Sequence, residues 1–257
     1  MFGFNLLANL RILREKTAAI FLSALPYPEA DLLAGIVLGL KQDLGQELYA
    51  QLKTTGTLHI VVASGYNVSL IGKKPINFLA YLIGRTPAVI FGLLMIWFYV
   101  FIAGVEPPLI RAAIMVSVLL LAQVLGKKFN AWRAFLITVW LMLMAKPDLI
   151  TNVSFQLSVA ALLGLMMGDS LFASLKKIPV FGPDLGETLS AQLMVTPIIA
   201  WHFGQLSIVA PIINALILPL IPIATQIGIA AIAASLAPPL GAILLYLVYP
   251  ILFWTIM

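Results

Sequence analysis

The stretch AQLMVTPIIAWHFGQLSIVAPIINALILPL, Ala191 to Leu220, lies inside a longer tract, Thr188 to Met257, that contains no Lys, Arg, Asp or Glu. No water-borne domain can build its exterior from such a tract, because about a quarter of ordinary globular sequence is charged. The rest of the chain agrees. Of its 257 residues, 62% are hydrophobic and 10% charged, and the mean hydropathy is +1.07. These values place the chain in a membrane.

The apolar runs then define an order of elements. Thr86 to Val105 and Leu109 to Leu125 approach the roughly 20 residues that cross a bilayer. The second opens on Pro107 and Pro108, tolerated at a helix start because the missing N–H would be unpaired there anyway. Ala134 to Ala145 is shorter and is ended by Lys146, Pro147 and Asp148. Leu149 to Met167 crosses again and carries Thr151, Asn152, Ser154, Gln156 and Ser158. Beyond a loop, Gly168 to Gly186, the expected runs are Leu189 to His202, Ile208 to Ala224, and Ile227 to Phe253, the last interrupted by Pro238 and Pro239. At the other end, Phe2 to Leu25 mixes apolar residues with Arg11, Arg14, Glu15 and Lys16 and reads as an interfacial helix. Leu32 to Leu40, preceded by the first-turn acids Glu29 and Asp31, is too short to span, and Asp43 to Lys53 is amphipathic. The sequence thus predicts an all-α polytopic membrane protein of about seven to nine transmembrane or partly spanning helices. It forms one integral-membrane domain over residues 1–257, with interfacial or short helices over 1–55 and a bundle over 56–257.

The net charge of +5 could suggest a polyanionic partner, but its distribution has a simpler reading. Lys73, Lys74 and Arg85, then Lys127, Lys128 and Arg133, then Lys176 and Lys177, all fall between apolar runs, which is the positive-inside pattern. That places Glu106 and the Lys146/Asp148 turn on the opposite side. The N-terminal charges are followed by no small-residue cleavage site, so the apolar segments read as permanent. With no cysteine and only His59 and His202, no disulfide, metal centre or cofactor is expected.

Polar groups inside such runs carry the functional information. VVASGYNVSLIG, Val61 to Gly72, is apolar except for Ser64, Gly65, Tyr66, Asn67 and Ser69, and His59 stands just before it. Ser64-Gly65 predicts a break, with Gly65 free to take unusual backbone angles and Ser64 and Asn67 able to cap the N–H groups of a half-helix. Such a terminus attracts anions. The plain alternative is that small and polar residues join helices by hydrogen bonds of roughly 0.6–2 kcal/mol. Arg111 is a basic residue inside a strong span. Insertion of an arginine at a span's centre costs about 2.5–3.5 kcal/mol, so a partner or wet cavity is expected; snorkelling to the interface or pairing with Glu106 is the local alternative. Gln156, Ser158, Gln192, His202 and Asn214 either line the same aqueous path or bond helix to helix.

The string TGTLHIVVASGYNVSLI resembles a motif of the ComEC competence family, with Gly56, His59, Ala63, Ser64, Gly65 and Val68 in matching places. EADLLAGIVLGLKQDL, PPLIRAAIM (Pro107 to Met115), SFQLSVAALLGL (Ser154 to Leu165) and AQLMVTPIIAWHFGQLSIVAPIINALILPL resemble further family segments in the same order, from about Pro28 to Pro219. The resemblance implies a bacterial inner-membrane, multi-pass protein that lets single-stranded DNA cross during natural transformation. Two departures stand out. The family's second motif histidine is Asn67 here, which removes a titratable group. Full-length members tend to carry an oligonucleotide-binding-like domain and a metallo-β-lactamase-like nuclease domain, and neither is present; a truncated form or a minimal natural relative is expected.

The expected mechanism is therefore a non-enzymatic channel. Helix termini and amides near Ser64, Gly65 and Asn67 contact phosphates, Arg111 supplies a cation, and Tyr66 stacks bases without regard to sequence. A separate nuclease and a separate DNA-translocating ATPase are expected partners, since the sequence contains no Walker-type phosphate loop. Three competitors stand beside this: a small-anion transporter, a membrane platform for a nuclease or helicase, and an intramembrane serine protease using Ser64 and His202. The last lacks the glycine that a rhomboid-like pattern would place at Val62.

Overall fold

The computed structural model describes residues 2–40, 44–61, 65–171, 182–204, 210–235 and 238–257, and among them there are twelve α-helices, two 3-10 turns and no strand. The helices are α1 (Phe2–Ala24), α2 (Glu29–Leu38), α3 (Gln46–Thr55), α4 (Gly65–Ile83), α5 (Arg85–Ala103), α6 (Pro107–Val124), α7 (Ala131–Ala145), α8 (Val153–Leu171), α9 (Gly182–Phe203), α10 (Ala210–Ile217), α11 (Ile221–Ala234) and α12 (Pro238–Ile256). The 3-10 turns are Leu58–Val61, before α4, and Pro147–Thr151, before α8. Among the described residues, α5, α6 and Pro239–Ile256 of α12 are long and apolar enough to cross a membrane, and α7, Val153–Gly168 and α11 are shorter apolar helices. The third basic group, Lys176 and Lys177, lies outside the described residues.

The helices are apolar on both sides. Along α5, Ala88, Val89, Gly92, Ile96, Tyr99, Val100 and Ala103 are buried, while Ile90, Leu94, Phe98 and Phe101 are exposed. Leu136, Trp140 and Met144 form a similar exposed row on α7. An apolar stripe facing a core, backed by an equally apolar outer stripe, suits a helix with lipid on its far side. The architecture is that of an all-α membrane protein.

Two buried clusters organise most of it. In the second, α4, α5 and α6 pack together around Val68, Ile76, Ile96 and Leu109. Helices α4 and α5 exchange a small residue for a large one twice: Gly72 faces Ile96, and Gly92 faces Ile76. Without side chains at those glycines the two axes approach closely, the usual device where lipid removes the hydrophobic drive for helix pairing. The pair α8 and α9 is closer still, with Gly164 and Gly168 of α8 facing Ser190 of α9.

The first cluster is built around α2, the short helix expected not to span: nine of its ten residues are buried, and it sits among α1, α11 and α12. Helix α1 also packs inward, with Ala18, Phe21 and Leu25 buried. A helix too short to span can still be buried when neighbouring helices satisfy its backbone ends. Gly39 closes α2 in the left-handed region, φ 69°. The three carbonyls just before it are each taken by a different helix. Asn67 Nδ2 of α4 donates to the Ile36 carbonyl (2.9 Å), Tyr99 Oη of α5 to that of Val37 (2.8 Å), and Arg14 of α1 to that of Leu38 through Nε (3.1 Å) and Nη2 (2.8 Å).

Arg14 thus places a cation at the negative end of the α2 dipole. Replacing it in Arg14→Met leaves the Leu38 carbonyl without that donor, and the expected loss is about 1.5–3 kcal/mol. The midpoint of thermal unfolding in detergent should fall for Arg14→Met and recover in part for Arg14→Lys. An unchanged midpoint would mean that water reaches the end of α2.

Other boundaries also shift. Helix α4 runs without interruption through Lys73, Lys74 and Pro75, where the basic pair had suggested a connection; the proline removes one backbone bond without ending the helix. The run Ile208 to Ala224 divides into α10 and the start of α11. Pro219 disfavours helix at Leu218, and Pro222 stands in the first turn of α11, where its missing N–H is harmless. The prolines at 238 and 239 start α12 rather than interrupt a helix.

Candidate functional site

The break expected before α4 falls partly on residues 62–64, so Ser64 lies outside the described residues. Its neighbour Gly65 is the first residue of α4. A Cβ at Gly65 would stand 3.2 Å from Ala112 Cβ and 3.5 Å from Arg111 Nη2. The start of α4 therefore lies against the guanidinium of α6, which is close to what the sequence grouped by function alone.

Of the two readings of Arg111, the structure takes the inward one. Its Nη1 donates to the Ser158 carbonyl of α8 at 2.7 Å, not to Glu106. The pairing is incomplete. Arg111 Nε is buried and has no hydrogen-bond partner, and the same holds for Ser158 Oγ, although Ser158 is only 9% exposed. A neutral carbonyl is the acceptor, so the positive charge keeps an unmet demand for an anion. Helices α4, α6 and α8 thus bring together Gly65, Arg111 and Ser158 from three distant parts of the chain.

Asn67 has another role. It is 2% exposed, and its Nδ2 donates to the Tyr99 hydroxyl (3.0 Å) as well as to Ile36. Both amide hydrogens are spent on α2 and α5, so Asn67 joins α4 to the end of α2 and to α5, the helix-to-helix bonding that stood as the plain alternative. His59 sits in the first 3-10 turn, and its Nδ1 donates to the Gly56 carbonyl at 3.1 Å. The Gly-x-x-His spacing is therefore a local turn, closed after α3 by Gly56 at φ 75°.

Gln156 and His202 meet across the two helices, which is the helix-to-helix bond that stood as one of the two readings. His202 Nε2 lies 3.0 Å from Gln156 Oε1, and Gln156 Nε2 donates to the Ile150 carbonyl; this exposed pair ties the end of α9 to the start of α8. Tyr66 is 43% exposed, and its hydroxyl accepts from Gln226 Nε2 of α11 at 3.3 Å. Gln192 is half-buried in α9. Asn214 is buried in α10, which packs on α9, and its Oδ1 has no partner. Asn152, counted among the in-span polar groups, accepts from the Phe155 N–H and caps α8. Sequence reasoning missed Tyr99, Arg14 and Gln226. Among the described residues no group of His, Asp and Glu could hold a metal ion.

Known proteins share this pattern of segments. A family model described as "Competence protein" matches residues 36–257. The chain is 27% identical over 212 residues to ComE operon protein 3 of Bacillus subtilis, a match covering 80% of this chain and 26% of that protein. It is 22% identical over 246 residues to the uncharacterized protein YcaI of Escherichia coli, covering 90% of this chain and 33% of that one. The chain thus spans about a quarter to a third of the length of these curated relatives. No solved structure matches. With the family pattern running from the end of α2 through α12, the chain belongs to the competence protein family.

Proposed function

We propose that this chain acts in DNA uptake, as a multi-pass domain of the bacterial inner membrane through which single-stranded DNA passes. One observation carries the reading: a guanidinium with unmet hydrogen-bonding capacity, Arg111, lies against the start of α4. Cations inside membranes are expensive and are kept where charge must pass or bind. A polyanion in transit needs contacts strong enough to admit it and weak enough to release it; a single arginine with amide and hydroxyl neighbours is such a contact. Tyr66, exposed one residue into α4, supplies a ring on which any base can stack. A separate nuclease would supply the single strand and a separate ATPase the force. No catalytic residue is assigned to this chain.

The absence of native cysteine allows a direct test. Single cysteines at Tyr66, Ser69 and Leu70, with lipid-facing Phe98 and buried Val68 as controls, are placed in the chain in vesicles and treated with a membrane-impermeant thiol reagent. Labelling at Tyr66 that a single-stranded oligonucleotide suppresses, with Phe98 indifferent to it, is the expected result. Suppression by small anions but not by oligonucleotide would favour transport of small anions instead. No labelling at any of the three positions would remove the start of α4 from any aqueous path.

A further inference from the structure

Among the described residues, Arg111 and Glu29 each carry a buried charged-group atom without a hydrogen-bond partner, Nε and Oε2 respectively, and Arg111 is the cation of the two. The guanidinium offers five N–H donors in a fixed fork. Its bond to the Ser158 backbone carbonyl, at 2.7 Å, spends one of them. That carbonyl belongs to an α8 residue inside the helix, so the arginine is an additional donor to it and not its only one. Nε is buried and unpartnered, as is Ser158 Oγ. A fully committed structural arginine would be held by a carboxylate or by several carbonyls; among the described residues this one is held by one neutral oxygen. Two unsatisfied side-chain atoms, on residues joined through Arg111 Nη1 and the Ser158 backbone carbonyl, are what a missing acceptor would leave behind.

The missing acceptor has a definite chemistry. It must accept from a guanidinium and from a serine hydroxyl, it must carry negative charge, and it must suit the start of α4, the positive end of that helix dipole. A carboxylate meets the first two demands in two dimensions. A tetrahedral phosphodiester meets all of them, with its two unesterified oxygens shared between the fork and the hydroxyl. We propose that Arg111, Ser158 and the N-terminal turn of α4 form a binding site for a single phosphodiester group, in which the Ser158 carbonyl holds the guanidinium until a phosphate oxygen displaces it.

This rests on the uptake reading and deepens it: the site recognises the charged backbone of the strand and ignores its bases. The lack of a side chain at Gly65 helps α4 come this near to α6. A Cβ at that position would already stand 3.2 Å from Ala112, and a longer side chain would extend into the space between the helix start and the fork.

The test uses the full chain in lipid nanodiscs and two oligothymidylates of equal length, one with phosphodiester and one with uncharged methylphosphonate linkages. The expected result is that the parent binds the phosphodiester strand more tightly, and that Arg111→Gln lowers that affinity roughly ten- to a hundred-fold while leaving the methylphosphonate strand unaffected. Arg111→Lys should retain most of the preference, and Ser158→Ala should weaken it less than Arg111→Gln does. Because Arg111→Gln could unfold the chain, each variant is compared by size-exclusion profile, and Gly65→Ser serves as a variant that keeps every charge yet should reduce the same preference.

A phosphodiester preference that survives in folded Arg111→Gln would overturn the site while leaving passage of DNA intact. Failure of both strands to bind the parent would overturn the uptake reading itself. Displacement of the phosphodiester strand by millimolar inorganic phosphate, lost in Arg111→Gln, would support the site with its shared chemistry. Equal displacement by nanodiscs rich in phosphatidylglycerol would assign Arg111 to a lipid headgroup and overturn the nucleic-acid assignment.

Discussion

Asn67→Asp is expected to destabilise the protein by about 3 kcal/mol, more than most single substitutions do. The change is nearly isosteric, so its effect comes from hydrogen-bond direction. Asn67 Nδ2 gives one hydrogen to the Ile36 carbonyl and one to Tyr99 Oη, and Tyr99 Oη gives its own to the Val37 carbonyl. An ionised aspartate has no hydrogen to give and would face the Ile36 carbonyl oxygen with like charge. If Tyr99 turned to donate to the new carboxylate, Val37 would lose its donor instead. Either way one carbonyl at the buried end of α2 stays unpaired, and its desolvation is no longer offset. Protonation of the aspartate restores a single donor, so the variant should be more stable at pH 5 than at pH 8, while the parent should differ little between them through this site. Thermal unfolding in detergent at both pH values measures this. Tyr99→Phe, expected to cost about 1–2 kcal/mol, completes a double-mutant cycle. A coupling near zero would mean that Asn67 and Tyr99 hold α2 independently.

That network also marks the limit of what the sequence could disclose. The membrane class, the span from Arg85 to Ala103 and the proline-led start of α6 follow from composition and from local rules of helix initiation, and the structure has them within a residue or two. The depth of α2 does not follow from local rules. Its ends are satisfied by Arg14, Asn67 and Tyr99 from three other helices, at separations of 24, 31 and 62 residues, and no periodicity connects such positions. Tyr99 in particular lies in a clean apolar run, where an aromatic reads as lipid-facing until α2 is docked against it.

The candidate site was legible to a different degree. Arg111 stood out because a charge within a span demands an explanation, and Gly65 because a glycine beside serine in an apolar run marks a break. Their proximity is a fact of packing between α4 and α6. The donor role of Asn67 toward α2 and α5 was not legible, because an amide can donate or accept and the sequence does not tell which. Ser158 and Gln156, two residues apart on α8, were read as lining one path or as bonding helix to helix, and their side chains leave different sides of the helix. The Ser158 backbone carbonyl meets Arg111 and the Gln156 side chain meets His202.

The largest effect is expected at Gly164. A Cβ there would strike the Ser190 carbonyl and come within 2.9 Å of Ala191 Cα, and both are backbone of α9. Where Gly72 meets Ile96, the obstructing atom is the far end of a side chain that can change rotamer, 2.8 Å away. At Gly164 nothing can rotate aside, and relief requires that α8 and α9 separate along the pair. Overpacking in cores costs about 1–3 kcal/mol when side chains can adjust, so Gly164→Ala should reach at least the upper end of that range and Gly164→Leu should exceed it. Gly72→Ala should be milder than Gly164→Ala by more than a factor of two. The consequence extends to the site, because α8 carries Ser158 and α9 is tied to α8 through the His202–Gln156 contact. If α8 shifts, the carbonyl that holds Arg111 shifts with it. Gly164→Leu should therefore lose monodispersity on size exclusion and melt well below the parent, and any folded fraction should bind phosphodiester strands with altered affinity. A Gly164→Leu chain as stable as the parent would show that α8 and α9 do not meet at this glycine, and Ser158 would then have no fixed position from which to meet Arg111.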